Sequence, residues 1–148
     1  MTAITEAGIE IDREFAAAPA AVFAAWTTAE SFAQWFGGSM VQVPMETLDY
    51  VAEAGRVWTA TMVLPDGNTM NWTGEFVEVD APNRLVMTLT DQPENEARAV
   101  MTIDLAASGS GTRMRMTQET PGFSEEQRLG TIAGWESFFD VLGAIAEG

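Results

Sequence analysis

The sequence predicts an α+β fold in which a curved antiparallel sheet of seven strands wraps around one long C-terminal helix. Three observations predict it. Seven segments between Ile9 and Thr120 read as strands, each bounded by turn residues. After Pro121-Gly122 the apolar residues change to the 3, 4, 3, 4 spacing of an amphipathic helix and keep it to the end of the chain. At 148 residues the chain has the size of one domain, expected over 1–148.

Ile9, Ile11 and Phe15 share one face of the first strand, with Glu10 and Asp12 on the other. Pro19 suits the first turn of a short helix whose apolar stripe is Val22, Phe23 and Trp26. Thr28 is placed to cap a second short helix, with Glu30 in its first turn, Phe32, Trp35 and Phe36 on its apolar face, and Gly37-Gly38 as its stop. Strands are then expected at about 40–49, 56–64, 69–79, 84–90, 97–106 and 112–120. Pro65-Asp66-Gly67-Asn68 and Ser108-Gly109-Ser110-Gly111 carry hairpin turn chemistry, while 81–83 and 91–96 read as looser connections. Ser124-Glu125-Glu126-Gln127 is a capping box that opens the last helix. Its stripe is Ile132, Trp135, Phe139, Leu142 and Ala146, widened by Phe138, Val141 and Ile145. So broad an apolar surface needs a curved sheet to cover it.

Composition narrows the function. A net charge of −15, with the seven cations all arginines scattered from Arg13 to Arg128, repels phosphate backbones and anionic membranes, so nucleic-acid binding is not expected. No apolar run approaches the length of a membrane span, and residues 1–15 carry acids where a signal peptide needs a basic region. Membrane insertion is not expected either. Cysteine is absent, which rules out a disulfide framework and makes the cytoplasm the expected location. Without His or Cys the commonest metal ligands, general base and thiolate nucleophile are missing, so neither a metal nor a cofactor is expected. No serine sits in a Gly-x-Ser-x-Gly elbow, and the Ser108–Gly111 segment lacks the spacing of a phosphate loop. Among strand carboxylates, Glu75 falls opposite Trp72, Gly74 and Phe76, and Asp104 falls opposite Ile103 and Leu105, which makes both solvated. Glu119 also lies on a strand. No residue is assigned a catalytic role.

The more informative set is apolar. Trp58, Met62, Met70, Trp72, Phe76, Met87, Met101, Ile103, Met114 and Met116 belong to the inward parity of their strands. Methionine is flexible and polarizable, and is favoured where a surface must accept varied apolar partners. Together with Trp35, Trp135 and Phe139 these side chains either fill a packed core or line a cavity that widens toward the short helices, with indole N–H groups as polar anchors. The cavity is the favoured reading, with Arg56 beside its mouth as a possible partner for an acidic ligand head.

The element order resembles the helix-grip fold of the START-related, birch-pollen-allergen-like (SRPBCC) superfamily. Within it, Ile11 to Phe15 followed by Ala18-Pro19, then Val22 to Thr27 and Trp35-Phe36-Gly37, is similar to the opening of the family named for the activator of the heat-shock protein 90 ATPase. Gly55 to Trp58, Gly74-Glu75-Phe76, Asp80 to Leu85, Gly111 to Met114 and Gly134-Trp135 continue in that family's order. The chain departs from it at Phe36, where a second tryptophan is usual, and at Ala54-Gly55, where paired glycines are usual. The resemblance brings no catalytic motif. Three functions are expected in order: a carrier or sensor of a lipid, polyketide or aromatic metabolite; an interaction module with a chaperone partner, as the resemblance implies; and a cyclase- or hydrolase-like enzyme using the same cavity. The sequence leaves the oligomeric state open, a homodimer included.

Overall fold

The structure is a computed structural model and describes residues 2–148. Its strands are β1 (Ala3–Ile4), β2 (Gly8–Phe15), β3 (Val57–Val63), β4 (Thr69–Asp80), β5 (Arg84–Leu89), β6 (Ala99–Ser108) and β7 (Gly111–Glu119). They form one antiparallel sheet in the order β1-β2-β7-β6-β5-β4-β3. From β3 to β7 the chain is a meander. Helices α1 (Pro19–Thr27) and α2 (Ala29–Trp35) carry it from β2, inside the sheet, to the far edge at β3. The long helix α3 (Glu125–Glu147) lies against β2, α1 and α2.

The helix-grip architecture expected from the sequence is present, with two differences in how seven strands are reached. The segment expected as a strand at 40–49 forms only isolated bridges, Gln42 to Val63 and Asp49 to Thr59, on either side of a single 3₁₀ turn over Met45–Thr47. Pro44 has no N–H to give a ladder at its centre. The seventh strand is instead β1, whose two residues pair with Ile9 and Glu10.

Local signals otherwise act as expected. Pro19 opens α1, and Ser124 and Gln127 close a reciprocal capping box on α3, with bonds of 3.1 and 2.8 Å. Thr28 occupies the N-cap position of α2 without a side-chain bond; its carbonyl accepts from Phe32 instead. The chain leaves α2 through Gly37 at a φ of 95°, a left-handed conformation that disfavours any side chain. Gly74 serves a different need. A Cβ there would lie 1.8 Å from the Thr88 carbonyl oxygen and 2.6 Å from Trp58 Nε1, so glycine lets the Trp58 indole reach that oxygen across β4.

The core sits between the sheet and the three helices. Trp26, Trp35, Phe32, Phe36, Tyr50, Trp58, Phe76 and Phe139 are all buried there. Trp26 meets Trp35 edge-on at 4.8 Å, and Phe32 stacks on Tyr50 at 4.0 Å. Such pairs add about 0.5–1.5 kcal/mol each beyond the area they bury.

Candidate functional site

The helices α1 and α2 do not widen the space under the sheet; they fill it. Val22, Phe23 and Trp26 of α1, Phe32 and Trp35 of α2, and Phe36 just after it plug that region with apolar, mostly aromatic side chains. The remaining space lies at the other end of the sheet's inner face, beside the first half of α3. It is a cavity of about 720 Å³. Met62 near the end of β3 and Leu64 just beyond it, Met70 and Trp72 at the start of β4, and Leu89 at the end of β5 supply the sheet side of its wall. Phe36 closes it from the short helices, and Thr131, Gly134, Trp135 and Phe138 face it from α3. Its mouth is edged by exposed Asp91, Gln92 and Ala97 and by Pro121 and Phe123.

Of the residues singled out from the sequence, Met62, Met70, Trp72 and Trp135 come together on this wall. Trp35, Trp58, Phe76, Met87, Met101, Ile103, Met114, Met116 and Phe139 point inward as their parity requires, but they are fully buried in the packed core and do not line the cavity. Parity places a side chain on a face; whether space is left above it depends on what the helices bring to the same spot. Arg56 is exposed and stands outside the cavity, in the turn before β3 where its carbonyl accepts from the Phe76 N–H. The arginine that lines the mouth is Arg98, half-buried, with Nη1 donating to the backbone carbonyls of Asn95 and Ala97.

The indole N–H groups expected as anchors are mostly committed. Trp35 Nε1 donates to the Ala25 carbonyl at 2.8 Å, and Trp58 Nε1 to the Thr88 carbonyl at 3.1 Å. Trp135 Nε1 donates to Gln118 Oε1 at 2.7 Å. Trp72 Nε1 is the exception, buried without a partner. A buried donor left unmet costs about 1–3 kcal/mol, which a ligand acceptor would recover.

Gln118, which the sequence reading passed over, lines the cavity as well. The signal for it was available: it continues the inward parity of Met114 and Met116, where an uncharged polar residue breaks an apolar series.

The carboxylates stay outside the cavity's interior. Glu75 is exposed, and Asp104 pairs with Arg84 at 2.8 Å on the outer face. Glu119 borders the mouth and accepts from the Val100 N–H at 3.3 Å. Burial pushes the Tyr50 hydroxyl well above its ordinary pKa, but this group lies in the closed core and donates to the Trp26 carbonyl at 2.6 Å. Its role is structural. Among the described residues no group of three or more carboxylates is placed to hold a metal ion, and no helix is long and apolar enough to cross a membrane.

A curved sheet gripping a C-terminal helix, with an apolar cavity left between them, defines the helix-grip class. The profile of the Activator of Hsp90 ATPase homolog 1-like protein family matches residues 16–147, and the chain belongs to that family. Solved structures agree in fold. An AHSA1 protein from Silicibacter pomeroyi is 25% identical with a TM-score of 0.80, the match covering 91% of this chain and 94% of that one. A protein from Staphylococcus epidermidis is 22% identical with a TM-score of 0.82, covering 99% and 93%. A protein from Chromobacterium violaceum is 18% identical with a TM-score of 0.81, covering 97% and 99%. No curated protein matches the chain.

Proposed function

We propose that the protein binds a small apolar molecule in the cavity between the sheet and α3, as a carrier or sensor. The observation that carries this reading is the cavity itself: about 720 Å³, within the range of small-molecule sites, walled by apolar side chains and holding few polar groups. Methionines 62 and 70 give that wall the adaptability to close around more than one shape. A ligand burying about 150 Å² of apolar surface gains roughly 4 kcal/mol before the entropy of association is subtracted, so micromolar binding requires a ligand that uses more of the space.

Native mass spectrometry of the purified protein is the direct test. A mass above that of the denatured chain, lost on denaturation, is the expected result and reports the ligand's class. A bare protein whose melting temperature is unmoved by fatty acids and aromatic metabolites would overturn the reading. Stimulation of a chaperone ATPase by stoichiometric protein, with the cavity empty throughout, would put an interaction role in its place.

A further inference from the structure

We propose that Gln118 is the specificity-determining contact of this cavity, a fixed hydrogen-bond donor that selects apolar ligands carrying an acceptor oxygen such as a ketone, ester or carboxylic acid. The inference rests on the ligand-binding reading above. Gln118 points inward from β7 between the core and the mouth, on the wall it shares with Trp135. An indole N–H can only donate, so the 2.7 Å contact from Trp135 takes the amide oxygen and fixes the orientation of the whole group. The two hydrogens on Nε2 remain. Among the described residues no acceptor meets that nitrogen, and it is not among the atoms sealed from solvent. On the same wall Trp72 Nε1 is a second donor without a partner. The groups on this wall whose hydrogens meet no partner are therefore Gln118 Nε2 and Trp72 Nε1. A ligand oxygen placed against them completes one or both, whereas an ammonium or amide N–H placed against the same two nitrogens is accepted by neither.

The test uses the fluorescent naphthalene ketone prodan and an analogue in which a propyl chain replaces the propionyl group. Both are titrated into the wild type and into Gln118→Glu. The glutamate can still accept from Trp135, but when ionised it has no hydrogen to give. In Gln118→Glu above its carboxyl titration, prodan affinity is expected to fall about tenfold while that of the propyl analogue stays within about twofold. On acidification the carboxyl regains a proton and prodan affinity recovers. Asp91, Glu119 and Arg98 border the mouth in both proteins, so the wild type over the same pH range is the control.

Equal loss of both probes, or no loss of either, overturns the role of Gln118 and leaves the ligand-binding reading standing. Failure of both probes to bind the wild type overturns both, and tighter binding of the propyl analogue than of prodan overturns the role of Gln118 alone. A measurement on the wild type needs no variant: the infrared carbonyl stretch of bound prodan should lie where hydrogen-bonding alcohols place it, and an alkane-like stretch overturns the proposal.

Discussion

Gly134 offers the sharpest test of the cavity because the same helix supplies its control. Gly130 and Gly134 both sit inside α3, where a glycine costs about 1 kcal/mol relative to alanine. A Cβ at either position would meet no heavy atom within 4 Å, so a methyl enters without a clash. Gly134 faces the cavity and Gly130 faces solvent. Both alanine variants should therefore gain about 0.5–1 kcal/mol, a rise of roughly 1–4 °C in melting temperature for a domain of this size. Stability does not separate the two sites; binding does. Gly134→Phe drives a ring into the cavity and should weaken prodan at least about tenfold, whereas Gly130→Phe leaves it within about twofold. Calorimetry and fluorescence titration read the two effects. A lower melting temperature for Gly134→Ala would show that the space above it is already occupied, and unchanged prodan binding by Gly134→Phe would show that the cavity does not hold the probe.

The remaining predictions concern the core around the cavity. Tyr50 is the chain's single tyrosine, so tyrosinate absorbance reports it directly. Its hydroxyl holds its proton more tightly folded than unfolded, so that contribution to stability is complete below about pH 10, the unfolded value, and is lost as pH rises toward the folded one. Stability measured by urea should fall above pH 10, and Tyr50→Phe should flatten that fall while costing about 1–2 kcal/mol at neutral pH through the lost bond to Trp26. Trp72→Phe removes a donor that has no partner and should cost less than about 1 kcal/mol, whereas Trp35→Phe breaks a 2.8 Å bond in the closed core and should cost at least about 2; reversal of that order in denaturant titrations would refute the assignment of their N–H groups. Asp104→Asn breaks an ion pair whose two side chains are 45% and 43% exposed and should change stability by less than about 1 kcal/mol in the same assay.

Much of this architecture is legible from spacing alone. The inward parity of Trp58, Phe76, Met87, Met101, Met114 and Met116, the capping box at Ser124 and the stop at Gly37 are each written within a few neighbouring residues, and the structure realises each of them. Where a reading depended on a partner far along the chain, it failed. The alternating apolar residues from Met40 to Leu48 look like a strand, yet only two isolated bridges form around Pro44. Ala3–Ile4 carries no strand signal and becomes one because β2 offers it an open edge.

The cavity divides along the same line. Composition by itself removed histidine and cysteine chemistry, and periodicity by itself decided which side chains face inward. Neither says what stands opposite them. That Trp58 and Met114 are closed over while Met62, Met70 and Trp72 border open space follows from α1 and α2 bringing their aromatic residues under one part of the sheet and leaving the other part to the first half of α3. The fixed orientation of Gln118 depends on a bond from Trp135, seventeen residues away. A repeat of two fixes a direction for each side chain, but the volume above it is set by elements distant in sequence, and only tertiary packing brings those together.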